Sequence, residues 1–143
     1  MEPRVKVPAK LRKTVFARAG HCCEYCQTPE ALSASPFVVE HILPLAAGGK
    51  STPSNLACAC HGCNLLKSDH VTGLDGLTGM QTALFHPRRD NWCEHFRWSH
   101  HGEEIIPLTS TGRATIHRLD LNRTSLRNLR RLLRQADKSF PRL

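Results

Sequence analysis

Two C-x-x-C pairs constrain this chain more than any other part of its sequence. Cys23 and Cys26 form the first pair, and Cys60 and Cys63 form the second. A C-x-x-C loop lets two thiolates converge on one ion, and two such loops supply the four sulfur ligands of a tetrahedral zinc site. A thioredoxin-like redox motif would need one pair in a βαβ context, a pattern that the sequence lacks. We therefore expect structural Zn²⁺ bound by these four cysteines.

The sequence contains three other cysteines, and two of them leave open which four residues bind the zinc ion. Cys22 and Cys58 lie close to the regular pairs, and either could replace a neighbouring ligand at altered spacing. Cys93 is isolated in the sequence, and we expect it to be a small buried residue. The first residues lack the hydrophobic stretch of a secretory signal, which favours metal ligation over disulfide bonds.

Length and charge narrow the class of protein. A chain of 143 residues predicts a single domain, 1–143, and it contains no apolar run long enough to span a bilayer. We expect a cytoplasmic protein with no membrane partner. The net charge of +8 indicates a polyanionic partner, with nucleic acid first, although a basic surface without such a partner has the same charge.

Hydrophobic patterning predicts both helices and strands. In the first half we expect a helix over 8–19 that ends at Gly20, followed by a buried strand over 37–40. A Gly-rich loop over 46–55 then leads to a returning strand over 56–60 and a short helix over 63–69. In the second half we expect a loop over 72–79, a hairpin from 94–98 and 104–108, a helix capped by Thr109, and a last helix capped by Asn122 or Thr124 that ends near Asp137. The residues expected to fill the rest of the core are Phe85, Trp92, Phe96 and Trp98.

The last predicted helix has an apolar face and a basic face. The apolar face, expected to turn inward, consists of Leu126, Leu129, Leu132 and Leu133. The basic face consists of Arg127, Arg130, Arg131 and Arg134. Two interpretations of these arginines stay open: a solvated helix face, or a surface that follows the phosphates of a nucleic acid.

An acidic residue stands next to a histidine at the end of the first predicted strand. Glu40 offers a hard oxygen ligand and His41 offers a proton acceptor at nearly the same place. Phosphodiester hydrolysis needs an activated water and a Lewis acid, and carboxylate and amide oxygens suit Mg²⁺ or Mn²⁺. Adjacent strand residues point to opposite faces, so we expect irregular backbone at this pair. Taken alone, such a dipeptide is far more often a strand-end ion pair than a catalytic pair.

Four motifs in order resemble the zinc-containing branch of the HNH endonucleases. They are the first C-x-x-C, then E-H-I-x-P-x-x-x-G-G from Glu40, then N-L at Asn55, then C-x-x-C-N-x-x-K ending at Lys67. The similarity covers about residues 11–69. The chain departs from the common family pattern at two positions, because the first acid is Glu40 rather than Asp and the third motif residue is Asn64 rather than His.

The resemblance implies a fold and a set of residue roles. It implies a ββα-metal core, which we place at 8–70. With the elements predicted from the sequence patterns, we expect an α+β protein in which the N-terminal helix and a C-terminal hairpin and helical extension at 71–143 flank this core, and the extension packs on it. The resemblance also implies that His41 is the general base, that Glu40 and Asn64 hold one divalent cation, Mg²⁺ or Mn²⁺, and that Asn55 orients the His41 imidazole.

Two functions follow as hypotheses. The first is a metal-dependent endonuclease that acts on double-stranded DNA with low sequence specificity. The second is a zinc-stabilised nucleic-acid-binding module in which the Glu40-His41 pair is inert. Lys67 is either a phosphate contact or a helix-surface charge. The residues expected to contact nucleic acid are Lys50, Lys67, Arg127, Arg131 and Arg134.

Overall fold

The computed structural model describes residues 6–137 and shows an α+β architecture, as expected. The two ends of the expected 1–143 domain, 1–5 and 138–143, lie outside the described residues. The helices are α1 (Ala9–Arg18), α2 (His61–Lys67), α3 (Trp92–His95), α4 (Ser110–Leu119) and α5 (Thr124–Gln135). The strands are β1 (Val38–His41), β2 (Leu56–Ala59), β3 (Thr72–Leu74), β4 (Gln81–Ala83), β5 (Phe96–Trp98) and β6 (Ile105–Pro107).

Helix α1 packs on β2 and covers one side of the core. Pro8 precedes it with extended backbone, and Gly20 follows it with φ +62, a conformation that glycine adopts at little cost. Val15 and Phe16 are buried, as the sequence pattern predicts. The Arg12 guanidinium donates to the Phe37 carbonyl oxygen at 2.8 Å, which ties the helix to the start of β1.

Strands β1 and β2 form a regular antiparallel pair. Glu40 pairs with Ala57 and His41 pairs with Leu56, so the ladder continues through the dipeptide. The expectation of irregular backbone at this place is wrong. Because side chains alternate along a strand, the regular geometry alone turns Glu40 to the face covered by α2 and His41 to the opposite face.

Residues 72–83 form a hairpin where the sequence predicts a loop over 72–79. Strands β3 and β4 pair antiparallel around the buried carboxylate of Asp75, which accepts hydrogen bonds from the Leu77 N–H at 3.0 Å and the Thr78 hydroxyl at 2.9 Å. Arg113 of α4 donates to both Asp75 oxygens, at 2.7 and 3.1 Å. These strands are too short to show periodicity, and packing on α4 determines their conformation.

The predicted C-terminal hairpin and the helix after it are present. β5 pairs with β6, and Thr109 caps α4 by accepting from the Gly112 N–H at 3.0 Å. Residues 92–95 are helical, so the first strand of the hairpin begins at Phe96. Phe85 and Phe96 are buried in the core, whereas Trp92 and Trp98 are half-buried and pack on each other with ring centroids 5.5 Å apart.

Three further expectations for the second half are wrong. Neither Asn122 nor Thr124 caps α5: Arg123 is the N-cap residue, and Asn122 instead pairs with the backbone of Ile105, accepting from its N–H at 2.7 Å. Leu132 is 62% exposed although it shares the predicted apolar face. Cys93 is exposed rather than buried, because it lies on the outer side of the short helix α3.

None of the helices described in residues 6–137 has the length and apolar character needed to cross a bilayer.

Candidate functional site

The four predicted zinc ligands meet in one buried cluster. The sulfur atoms of Cys23, Cys26, Cys60 and Cys63 all lie within 4.8 Å of one another, and Cys26 Sγ lies 3.7 Å from Cys60 Sγ. A tetrahedral ion with metal–sulfur bonds of about 2.3 Å places its sulfurs about 3.8 Å apart. The cluster therefore fits a structural zinc ion.

Cys22 and Cys58 stand outside this cluster, so the two regular pairs supply the ligands. Burial is the main reason that the pKa of Cys58 is raised to about 12, which keeps this residue a neutral thiol. Within the cluster, burial raises the pKa of Cys23, whereas hydrogen bonds from neighbouring thiols, first that of Cys23, lower the pKa of Cys60. A bound zinc ion would hold all four residues as thiolates.

Local backbone geometry directs each cysteine pair at the ion position. The Cys26 N–H points at Cys23 Sγ at 3.5 Å, and the Cys63 N–H points at Cys60 Sγ at 3.4 Å. Cys60 is also the N-cap residue of α2. The metal site therefore fixes the start of α2 against the end of β2.

Glu40 lies in a buried polar cluster beneath α2. One carboxylate oxygen, Oε2, accepts a hydrogen bond from the Tyr25 hydroxyl at 2.6 Å, and the other, Oε1, lies 2.6 Å from the Lys67 ammonium. Glu40 is 4% exposed and Lys67 is 1% exposed. Burial raises the pKa of Glu40, and the adjacent Lys67 charge opposes that rise.

This burial corrects the expectation for Lys67. Its ammonium also donates to the Ile42 carbonyl oxygen at 2.9 Å, so it is neither a helix-surface charge nor exposed to a phosphate. Lysine is among the residues least often fully buried, and here the buried carboxylate of Glu40 compensates its charge.

Asn64 lies one turn before Lys67 on the same side of α2. Within residues 6–137 its side chain forms no hydrogen bond, which leaves its amide oxygen available as a ligand. Glu40 Oε1 is engaged by the Lys67 ammonium, 2.6 Å away. A carboxylate and an amide oxygen are a donor set that fits Mg²⁺ or Mn²⁺. A cation bound at Oε1 would compete with Lys67 for that oxygen.

His41 lies on the other face of β1, half-exposed at the edge of the loop 42–55. Its Nε2 lies 2.9 Å from the Ser51 hydroxyl oxygen. The pKa of His41 is lower than the ordinary histidine value. Partial burial is the larger cause, and the nearby Lys67 charge is the smaller one. The imidazole is therefore neutral near pH 7, with one nitrogen able to accept a proton.

Asn55 fixes the loop rather than the imidazole itself. Its side chain accepts from the Leu43 N–H at 2.8 Å and donates to the carbonyl oxygens of Leu43 at 3.0 Å and Lys50 at 2.9 Å. Gly49 allows this close packing, because a Cβ there would lie 1.8 Å from the Leu43 carbonyl oxygen. His41 forms its hydrogen bond with Ser51, next to Lys50, and Asn55 bonds to the backbone of the same loop rather than to the imidazole.

The basic residues expected to contact nucleic acid occupy different environments. Lys50 is exposed on the loop that carries Ser51. On α5, Arg127 lies 3.5 Å from Glu104 and Arg131 lies 3.3 Å from Glu103, while Arg134 is exposed. The two glutamates belong to the segment before β6, far from α5 in sequence, and sequence spacing does not reveal that they face the arginines.

Arg130 does not belong to the basic surface. It is fully buried and donates to the carbonyl oxygens of Leu121 at 2.8 Å and Glu103 at 3.0 Å. Its guanidinium also packs over the Trp98 ring, 5.2 Å from the centroid. The predicted stripe of four arginines is therefore wrong at this position.

Sequence reasoning missed three residues of the site, namely Tyr25, Ser51 and Arg123. Tyr25 lies inside the first C-x-x-C and Ser51 lies in the Gly-rich loop, positions that could have marked both of them. Arg123 contacts the cysteine cluster from a distant part of the sequence, and only the folded structure brings it there.

Comparison with known proteins finds a family match over part of the chain. Residues 23–70 match the family model described as HNH endonuclease. This segment contains both C-x-x-C pairs, the Glu40-His41 dipeptide and α2. No curated protein and no solved structure matches the chain.

Proposed function

We propose that this chain, which carries an HNH endonuclease segment at residues 23–70, is a metal-dependent endonuclease that hydrolyses phosphodiester bonds in DNA. The observation that carries the proposal is the environment of His41. Its imidazole is half-exposed, has a lowered pKa and is held by a serine on a loop that Asn55 braces.

His41 acts as the general base in this proposal. In the tautomer whose Nε2–H donates to Ser51, Nδ1 carries the free lone pair. Nδ1 forms no hydrogen bond to any residue in 6–137, so it can accept a proton from a water molecule that attacks the phosphorus atom. Ser51 keeps the ring oriented while the proton moves.

Glu40 and Asn64 are the residues that would hold the catalytic Mg²⁺ or Mn²⁺. A bound cation of this kind supplies a Lewis acid for the charge that develops on the phosphate. Tyr25 donates to Oε2 of Glu40 and so leaves Oε1 as the oxygen that faces away from that hydrogen bond. Lys67 neutralises the carboxylate as long as no divalent cation does so.

The second candidate function is a zinc-stabilised nucleic-acid-binding module without catalysis. The Glu40–Lys67 ion pair is the observation that favours it, because a buried carboxylate with a lysine partner is compensated without any divalent cation. His41 would then be a loop residue that contacts Ser51 and nothing more.

We propose double-stranded DNA as the substrate, and the positive charge of the chain supports a polyanionic partner of this kind. The chain has a net charge of +8, and the exposed Lys50 lies on the loop that holds His41. Phosphates are the same in every sequence, so contacts of this kind predict low sequence specificity.

Incubation of supercoiled plasmid with the zinc-loaded protein separates the two functions, provided that binding is measured on the same samples. A nuclease converts the plasmid to nicked or linear forms only when Mg²⁺ or Mn²⁺ is added. Binding without any conversion under those conditions would favour the binding module and contradict the proposal.

A further inference from the structure

Arg123 places its guanidinium against the second cysteine pair. Its Nη1 lies 3.6 Å from Cys63 Sγ, and its Nη2 lies 3.6 Å from the sulfurs of both Cys60 and Cys63. The same side chain donates to the Leu119 carbonyl oxygen at 3.1 Å, which anchors it to the end of α4. Arg123 therefore connects the zinc ligands with the segment between α4 and α5.

Gly62 makes room for this contact. A Cβ at position 62 would lie 2.6 Å from Nη2 and 3.2 Å from Cζ of Arg123. Glycine inside a helix costs about 1 kcal/mol relative to alanine. The approach of Arg123 gives a packing reason for a glycine in α2, between the two cysteines of the pair.

The negative charge of a zinc–thiolate site explains why a guanidinium lies beside it. One Zn²⁺ with four thiolates carries two excess negative charges, and the cluster is buried. A guanidinium at this place both donates hydrogen bonds to the sulfurs and offsets part of their charge.

We propose that Arg123 is a positioning residue of the zinc site: it binds the Cys60 and Cys63 thiolates and thereby makes the C-terminal extension part of what retains the metal. Hydrogen bonds to metal-bound ligands orient those ligands and tune the metal. The site is then incomplete in residues 23–70 alone, since Arg123 lies outside the segment that matches the family. The inference concerns zinc retention and does not rest on nuclease activity.

The test measures the rate at which the full-length zinc-loaded protein transfers its metal to an excess of a chelating indicator. Arg123→Gln removes the contact, and Arg127→Gln, one turn further along α5, removes the same charge from a residue that pairs with Glu104 instead. We expect zinc affinity to fall about 10–100-fold in Arg123→Gln, with correspondingly faster transfer, and to stay unchanged in Arg127→Gln. Transfer from Arg123→Gln at the wild-type rate would overturn the proposal.

Gly62→Ala decides the question if Arg123→Gln does not fold. The new methyl group lies 2.6 Å from Nη2, too close for both to stay in place, so the guanidinium must move away while the arginine and its charge remain. Alanine also strengthens α2 as a helix, so faster zinc transfer could not come from lost helix propensity. Gly76→Ala is the matched control, because a Cβ there meets no atom within 4 Å. We expect faster transfer from Gly62→Ala alone, and equal rates in both variants would overturn the proposal.

Discussion

At the scale of single residues, the ion pair between Glu40 and Lys67 determines how the site can work. The sequence motif predicts Glu40, His41 and Asn64 as site residues, but it does not predict that Lys67 is buried against Glu40. A lysine near the end of a short helix usually faces solvent. Only the packing of α2 on β1 brings the ammonium to the carboxylate.

Lys67→Met should expose the competition between Lys67 and a divalent cation. Removing one partner of a buried ion pair leaves an uncompensated carboxylate, so we expect the free energy of unfolding to fall by about 3 kcal/mol without added metal. If Glu40 is a ligand, Mn²⁺ should then stabilise the variant more than the wild type, because the ammonium no longer competes. Denaturant unfolding with and without Mn²⁺ measures both effects.

Lys50→Met is the control for that experiment, since Lys50 is exposed and belongs to no ion pair in residues 6–137. It should leave both the stability and the Mn²⁺ effect at their wild-type values. An equal Mn²⁺ effect in Lys67→Met and the wild type would remove Glu40 from the ligand set.

The pH dependence of cleavage should report His41. A general base acts in its neutral form, so activity rises as pH rises through the pKa of the imidazole. Burial and the Lys67 charge lower that pKa, which places the rise below the ordinary histidine value of about 6.5. The measurement is kcat/KM against pH at saturating divalent cation. A rise centred above the ordinary histidine value would be inconsistent with His41 as the base in this environment.

At the scale of elements, the zinc site and α2 form one unit. The sequence predicts this unit and the β1–β2 pair, because each C-x-x-C pair is a recognisable local motif and one loop joins the two strands. It does not predict the β3–β4 hairpin, which depends on the Arg113 contact with Asp75. It also does not predict the start of α5, because Asn122 pairs with Ile105 instead of capping the helix.

Cys60→Ser should lose zinc and stability together. Serine can still cap α2 at position 60, but it cannot replace the thiolate ligand, so loss of zinc is what frees the start of the helix that carries Asn64 and Lys67. We expect zinc content near zero and a lower Tm. Cys93→Ser, at an exposed position outside the cluster, should keep the zinc and the Tm of the wild type. A Cys60→Ser protein with native zinc content and Tm would show that the metal site is not what holds α2.

At the scale of the whole molecule, the basic side chains behind the net charge of +8 differ in how accessible they are to a partner. Among the expected contacts, Lys67 is buried and two arginines of α5 face glutamates, whereas Lys50 is exposed beside the His41 loop. The sequence predicts the total charge but not this distribution, because the pairing of Arg127 and Arg131 with Glu104 and Glu103 depends on the tertiary fold.

Salt dependence of DNA binding should reveal which cations contact phosphate. If Lys50 contacts one phosphate, Lys50→Gln should flatten the slope of log affinity against log salt by about 0.9 and weaken binding to every sequence. Arg131→Gln should change the slope much less, because Glu103 already engages its guanidinium. Affinity measured over a series of salt concentrations decides this. A larger change of slope in Arg131→Gln than in Lys50→Gln would show that DNA phosphates contact α5 rather than the loop that carries Lys50.

The measurement that tests the central claim most directly is single-turnover cleavage of plasmid DNA by His41→Ala in Mg²⁺ or Mn²⁺, at protein concentrations that saturate binding. His117→Ala, which alters an exposed histidine on α4, is the control. A general base contributes about 10²–10⁴-fold, so His41→Ala should cut at least about 100 times more slowly than the wild type while it binds DNA equally well and keeps its zinc. Cleavage by His41→Ala at the rate of the wild type and of His117→Ala would contradict the account.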